Sequence, residues 1–298
     1  MIIAKIQPDF KLELFMRLMP LPQQILPCGQ LQLDLSQPHV MGILNVTPDS
    51  FSDGGKHNQI DQAIAHALAM IEQGATIIDI GGESTRPGAS EVSIEEEIRR
   101  VVPVVEALAK HNIVLSIDTS QPDVIRAAKE AGAHMWNDVR ALTRPNALKT
   151  AAELDIPVVI MHMRGEPTTM NQLDQYTDVT LDVIAELQQR VNEALNAGVK
   201  KHNIIIDPGF GFAKNAQQNL RLLKEFWKLG EMGYPILSGL SRKRFIGEAL
   251  KGVSADQRAV GSVAGHLFSI QQGASIVRAH DVKAMTDAIL IWKAMIQA

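Results

Sequence analysis

The sequence predicts a single-domain (β/α)₈ TIM barrel with a short N-terminal extension. Two observations carry this. Eight short apolar, β-branched runs with few internal charges alternate with longer helix-patterned segments, the order that builds a parallel sheet covered by helices. Nearly every run also ends in a polar side chain, and barrels of this type collect their functional residues at the C-terminal ends of the strands. The length of 298 residues suits one such barrel, which typically takes roughly 250. An open sheet of similar strand count is the rival architecture.

In chain order the strand-like runs are 40–44, 76–80, 113–117, 134–136, 157–161, 204–206, 235–237 and 275–277. Between them, 59–73, 94–110, 122–131, 146–154, 180–197, 217–228 and 281–296 carry apolar residues at three-and-four spacing. Gly74, Gly132 and Gly198 each follow a helical segment, where a left-handed residue favours termination. Pro122 sits in a first turn, where a missing N–H does little harm. Two helical stretches, 243–250 and 256–272, follow the seventh run. Leu31 to Leu35 suit a short strand closing the barrel floor. The division expected is 1–28 as an extension of unassigned role and 29–298 as the barrel. Within the extension, Leu12, Leu14, Phe15, Leu18 and Met19 suit a helix packed on the barrel or a neighbour.

Composition removes several classes of function. Hydrophobic residues make up 46% and charged residues 21%, with net charge −4 and no block of like charges. Neither a nucleic-acid surface nor a polybasic membrane surface is expected. A lone cysteine, Cys28, fits a reducing compartment. Lys5, Asp9, Lys11 and Glu13 interrupt any leader-like apolar run. The uncharged stretch 259–277 contains Ser262, His266, Ser269, Gln271 and Gln272, so it reads as a buried soluble helix. The expected location is cytoplasmic.

The run ends deliver Asn45, Asp79, Asp118, Asn137 with Asp138, His162, Asp207, Ser238 and Arg278 with His280 to one mouth. A single polar strand end is usually a cap; a whole set is not. Arg86, Lys243, Arg278 and His280 are cationic or able to be, and suit a phosphate. Asp118, Asn137 and Asp207 offer acceptors to a donor-rich heterocycle edge, with Met161 and Phe212 as apolar walls. Zinc ligand spacings, a G-x-S-x-G elbow and a phosphate loop of the G-x-x-x-x-G-K-[ST] kind are absent from the sequence. Lys243 is a Schiff-base candidate in principle, but beside Arg242 and Arg244 anion or substrate binding is the simpler reading. Asp79 reads equally well as a cap for its own loop, Asp138 as a loop-structuring residue, and His162 as a packed histidine.

Taken together, MGILNVTPDSFSDGG (41–55), GATIIDIGGESTRPG (74–88), SIDTS (116–120), NDV (137–139), MHMRGEPTTM (161–170), IIIDPGFGFAKN (204–215), GLSRKRFIG (239–247) and RAHDV (278–282) resemble the dihydropteroate synthase family of pterin-binding barrels. The resemblance spans about 36–298, in order and at strand ends. It implies condensation of 6-hydroxymethyl-7,8-dihydropterin diphosphate with 4-aminobenzoate to 7,8-dihydropteroate and diphosphate. It further implies Mg²⁺, a homodimer and inhibition by sulfonamides. By matching motif, Asp118, Asn137, Asp207 and Lys243 would hold the pterin, with Val139, Met161, Phe212, Gly239 and Arg278 around it. Asn45, Thr85, Arg86, Arg278 and His280 would hold the diphosphate, and Asn45 would contact Mg²⁺. Phe51, Asp53, Thr85 and Pro87 would close over 4-aminobenzoate, whose carboxylate would meet the Ser241–Lys243–Arg244 segment. Position 244 departs from the family, where a small hydroxyl residue is common. Arg244 therefore either adds a cation to the carboxylate site or points to solvent. Rival readings are a methyltetrahydrofolate-binding methyltransferase and a non-catalytic pterin-binding paralogue; STRPG and RAHDV argue against the first, and the presence of Asn45, Phe51, Thr85 and Arg86 against the second.

Overall fold

The structure, a computed structural model, describes residues 19, 21–22, 24–47, 56–83, 92–166 and 168–298. A hairpin comes first, β1 (Ile25–Cys28) pairing antiparallel with β2 (Leu31–Asp34). Then follow β3 (His39–Asn45), α1 (Lys56–Glu72), β4 (Ile77–Gly81), α2 (Ile94–Leu108), β5 (Val114–Asp118), α3 (Pro122–Glu130), β6 (Met135–Asp138) and α4 (Ala147–Leu154). The second half runs β7 (Val158–Met161), α5 (Val179–Asn196), β8 (Ile204–Asp207), α6 (Ala216–Lys224), β9 (Leu237–Ser238), α7 (Arg244–Ala249), α8 (Ala259–Gln271), β10 (Ile276–Ala279) and α9 (Val282–Gln297). All neighbours in the eight-stranded sheet, β8-β7-β6-β5-β4-β3-β10-β9, are parallel. A parallel bridge between Ile206 and Ile236, with Ile206 N–H donating to the Pro235 carbonyl at 2.9 Å, joins the two ends and closes the barrel.

Alternation along each strand separates two cores. Outward residues such as Leu44, Ile78, Ile117, Trp136, Ile160 and Val277 meet the helices in one large apolar cluster. Inward residues Met41, Ile77, Val114, Met135, Val159, Ile205, Leu237 and Ile276 form a separate cluster with Leu26, Cys28, Leu33 and Leu35 of the hairpin. The hairpin is therefore the plug of the barrel floor. Cys28 lies in this plug, where burial pushes its thiol up to about 12.

The expected floor strand at Leu31 to Leu35 exists, but β1 was missed and the expected division after residue 28 cuts the turn of the hairpin. A four-residue strand containing a proline carries no readable period. Residues 1–18 of the extension lie outside the described residues. Strands also run one or two residues further into polar sequence than the apolar runs: Asn45, Gly81, Asp118, Asp138, Asp207 and Ala279 are strand residues. Ladder pairing, not side-chain character, sets those ends. The segment 217–228 is a shorter α6 followed by a 3₁₀ stretch at Phe226–Met232, and 256–272 begins as a 3₁₀ turn before α8. Gly74, Gly132 and Gly198 have φ of 98°, 113° and 99°, as their places after helices require. Among the described residues no helix is long and apolar enough to cross a membrane.

Truncating the plug tests its role. Leu26→Ala, a fully buried position, should lower unfolding stability by about 2–4 kcal/mol in urea titrations. A loss below 0.5 kcal/mol, about what an exposed substitution gives, would mean the hairpin is not part of the core.

Candidate active site

The floor cluster fixes which strand residues face the mouth. Two residues beyond each floor residue comes the next inward position: Ile43, Asp79, Ser116, Asn137, Met161, Asp207, Gly239 and Arg278. One further inward step reaches Asn45, Gly81 and Asp118 on β3, β4 and β5. The apolar floor is thus followed within one step by a largely polar layer, and the predicted Asn45, Asp118, Asn137, Met161, Asp207, Gly239 and Arg278 all belong to the barrel interior.

Asp79 lies at the middle of this layer and is fully buried. Its Oδ1 accepts from Ser116 Oγ at 2.6 Å; its Oδ2 accepts from Asn137 Nδ2 at 2.9 Å and from Arg278 Nε at 2.6 Å. Instead of capping its loop, Asp79 orients two predicted ligand-binding side chains. Arg278 Nη2 reaches on to Asp118 Oδ2 at 2.8 Å. Burial alone would pull the guanidinium down, but the Asp79 and Asp118 carboxylates outweigh it and raise it. Asp118 is itself raised by burial, against the pull of Arg278. Its Oδ1 is buried with no hydrogen-bond partner among the described residues. An acceptor so placed is suited to a ligand N–H, because an unpaired buried polar atom is otherwise destabilising. A Cβ on Gly81 would lie 3.7 Å from Asp118 Oδ2 and 3.8 Å from Asn45 Oδ1, so both side chains border the same small residue.

A second acceptor comes from β8. Asp207 Oδ1 accepts from Gly209 N–H at 2.7 Å, and its Oδ2 lies where a Cβ on Gly239 would come within 3.3 Å. Burial pushes this carboxyl up to about 6, opposed by the Gly209 N–H and the Lys243 and Lys214 charges. Lys243 Nζ rests 4.0 Å over the Phe212 ring, a cation–π contact strengthened by desolvation. Its stem passes Gly211, where a Cβ would come within 2.9 Å of Lys243 Cδ. Burial, then Arg278, lowers Lys243 to about 8, which leaves it largely charged at neutral pH. Val139, Met161 and Phe212 do come together, with Met170 and Ala213, in a small apolar cluster.

Beyond the ends of β9 and β10, Ser241 Oγ accepts from His280 N–H at 3.1 Å and lies 3.0 Å from His280 Nδ1. Burial, then the Arg278 and Arg242 charges, holds His280 down to about 4. Of the residues read as cationic or able to be, His280 is thus held toward the neutral imidazole in the absence of ligand. Arg242 pairs with Asp281 at 2.5 Å. Arg244 is largely exposed and meets Glu248 one turn on at 3.1 Å, so of the two readings offered for it the structure supports the solvent-facing one.

Phe51, Asp53, Thr85, Arg86 and Pro87 lie outside the described residues. Asp138 does serve loop structure, accepting from Arg140 N–H, Leu142 N–H and Ser120 Oγ. His162 is packed, between Glu186 and Lys214. Ser116 was missed, although its spacing two residues before Asp118 places it on the same inward face. Arg140, nearly buried and paired with Glu166 at 2.7 Å and Glu83 at 3.5 Å, was missed as well, because its partners lie on two other loops.

Residues 41–280 match the family described as pterin binding enzyme. The dihydropteroate synthase of Haemophilus influenzae is 52% identical over 267 residues, covering 89% of this chain and 97% of the relative. The chain belongs to the pterin-binding enzymes, in the dihydropteroate synthase family. Among solved structures, Xanthomonas albilineans dihydropteroate synthase with 4-aminobenzoic acid superposes with a TM-score of 0.87 at 50% identity, covering 92% of this chain and 98% of that one. The same enzyme in complex with 7,8-dihydropteroate gives 0.84 at 47%, covering 92% and 99%. These likenesses support the synthase reading over the methyltransferase and the non-catalytic paralogue.

Asp79→Ala strips three donors of their acceptor, one of them a guanidinium. It should destabilise the fold by about 3–5 kcal/mol, the range for breaking a buried charge pair, in chemical denaturation. A loss under 1 kcal/mol would show that water or a neighbouring carboxylate replaces it.

Proposed function

We propose that this chain condenses 6-hydroxymethyl-7,8-dihydropterin diphosphate with 4-aminobenzoate, releasing 7,8-dihydropteroate and diphosphate. The observation that carries the proposal is the pair of buried carboxylates, Asp118 with its unpartnered Oδ1 and Asp207 beside Gly239, set among the charges of Arg278 and Lys243. That combination suits a ligand with a donor-rich ring at one end and an anion at the other, and the chain is half identical to synthases over most of its length.

Asp207, once ionised, accepts parallel bonds from the pterin 2-amino group and N3–H, each charge-assisted. Asp118, Asn137 and Lys243 hold the rest of the ring edge, and Val139, Met161, Phe212 and Gly239 wall it. Arg278, with Asn45, Thr85, Arg86 and His280, receives the diphosphate. As the methylene C–O bond breaks, its electron pair leaves on diphosphate and the dihydropterin ring spreads the positive charge of the methylene carbon. The amine of 4-aminobenzoate, neutral at pH 7, then forms the C–N bond and loses a proton to solvent. This is an SN1-like displacement in which the protein contributes positioning and electrostatics. Phe51, Thr85, Pro87, Ser241 and Lys243 are assigned to the 4-aminobenzoate side, and Arg244 is left out because its charge faces Glu248.

Mg²⁺ fits as a substrate-borne ion. A hard cation of this kind is held by few protein groups, here Asn45, with water and phosphate oxygens completing its shell. When bound it would neutralise charge on the leaving diphosphate. We further propose a homodimer and a cytoplasmic location. Val260 on α8 and Ile291 and Met295 on α9 are 82%, 64% and 70% exposed, and large apolar side chains left exposed on adjacent helices favour a second copy.

Diphosphate release with dihydropterin diphosphate, Mg²⁺ and 4-aminobenzoate, accompanied by dihydropteroate and blocked by a competing sulfonamide, is the expected result; pterin binding without turnover would favour the non-catalytic paralogue. Asp207→Asn should weaken pterin binding by about 1–3 kcal/mol, and unchanged affinity would remove Asp207 from its role. A pH titration gives an independent check. With its folded pKa raised from 3.8 to about 6, Asp207 contributes stability that is present below 3.8 and lost as pH rises through 6. Pterin binding requires the ionised form, so affinity should climb by up to about tenfold per pH unit below 6 and level off above it. The slope should flatten in Asp207→Asn.

A further inference from the structure

The loop from Pro208 to Lys214, between β8 and α6, encloses a cation that the reaction above does not use. Lys214 is only 6% exposed. Its Nζ donates to the Gly209 carbonyl at 3.0 Å, to the Phe212 carbonyl at 2.9 Å and to His162 Nδ1 at 2.9 Å. An ammonium has three donors and no acceptor, so each hydrogen is placed. The contact also fixes the imidazole tautomer: Nδ1 accepts, and Nε2–H faces Glu186 Oε2 at 3.0 Å. Glu186 is gripped in turn by Arg164, whose guanidinium lies 3.8 Å over the Tyr176 ring. Burial, then the Lys214 charge, holds His162 down to about 4, so it stays a neutral acceptor at neutral pH. Burial also draws Lys214 down to about 7, while Asp207 and Glu186 pull it back up. All three of its donor positions meet acceptors, the geometry that suits the ammonium form.

The loop could not hold this shape unaided. Gly209, Gly211 and Ala213 have φ of 66°, 80° and 49°, and at Gly209 a Cβ would lie 1.9 Å from the His162 carbonyl oxygen. Two carbonyls of one tight loop converge on a single point, which is repulsive without a cation between them. Those carbonyls belong to the two loop residues that shape the pterin end of the site. Gly209 N–H holds Asp207 Oδ1 at 2.7 Å, and the Phe212 ring carries Lys243 Nζ at 4.0 Å. His162, on the β7 side, also joins the ladder to β8, its N–H donating to the Asp207 carbonyl at 2.8 Å.

We propose that Lys214 is a positioning residue, which sets the Asp207 carboxylate and the Phe212 wall by gripping the Gly209 and Phe212 carbonyls, with neutral His162 as its third acceptor. The proposal rests on the reading of Asp207 as the pterin anchor. Lys214 itself touches no substrate in this scheme.

The test is a double-mutant cycle on the full chain, read as the dissociation constant of 6-hydroxymethylpterin by calorimetry. Lys214→Met keeps the length of the stem and should raise that constant about tenfold, the equivalent of one charge-assisted hydrogen bond. In an Asp207→Asn background the same change should add less than about threefold, because residues acting through one another are not additive. Losses that multiply to about a hundredfold in the double variant would overturn the coupling. Should Lys214→Met fail to fold, His162→Leu and His162→Gln replace it: the first leaves the ammonium one acceptor short, the second restores one. Weak binding in the first and recovery in the second is expected, and equal affinity in both sinks the proposal. Wild-type binding that Asp207→Asn weakens but Lys214→Met leaves unchanged overturns the positioning role alone. No wild-type binding of the pterin removes the anchor reading and this role with it.

Discussion

The guanidinium of Arg278 permits a polar layer inside the barrel. It comes from β10, yet its two donors end on carboxylates of β4 and β5, Asp79 at 2.6 Å and Asp118 at 2.8 Å. Burying two carboxylates on neighbouring strands is costly unless a cation and hydrogen bonds meet them. Ser116 and Asn137 complete the coordination of Asp79. The set is therefore interdependent: each member is tolerable only because the others are present. It also sits directly on the apolar floor, so the strands are held apolar below and polar above by the same closure.

Burial does the tuning at this mouth. It raises Asp118 and Asp207 and lowers Lys243 and His280, in each case disfavouring the charged form. Without ligand, the site is a collection of groups held short of their preferred charge. A substrate that offers N–H donors to the carboxylates and phosphate oxygens to the cations relieves every one of these at once. Binding and ionisation are thereby coupled, and interactions in this water-poor mouth are stronger than the same pairs in solvent. The Lys214 cage applies the same logic one layer out, where a buried charge is matched by acceptors that the chain itself supplies.

Much of this was legible beforehand. The eight runs and their helices specified a closed parallel barrel, and the inward face could be counted in steps of two from any floor residue. That count alone separates Asn137, which faces the site, from Asp138, which faces the loops. What it could not supply was partnership. Asp79 reads as a cap from its neighbours in sequence, because Ser116, Asn137 and Arg278 are 37, 58 and 199 positions away. Arg140 and Lys214 look like ordinary loop cations for the same reason.

The sequence by itself determined the order of the barrel elements and most of the described strand-end residues that face the interior, since periodicity and strand-end chemistry are local properties of the chain. It also determined the family, through motifs that recur in register. Only the tertiary structure decided where strands stop, that β1 joins β2 to plug the floor, and which charge answers which. Those outcomes depend on pairing and burial across the barrel: a ladder hydrogen bond ends where its neighbour ends, and a buried carboxylate is tolerated only if a distant strand delivers its partner.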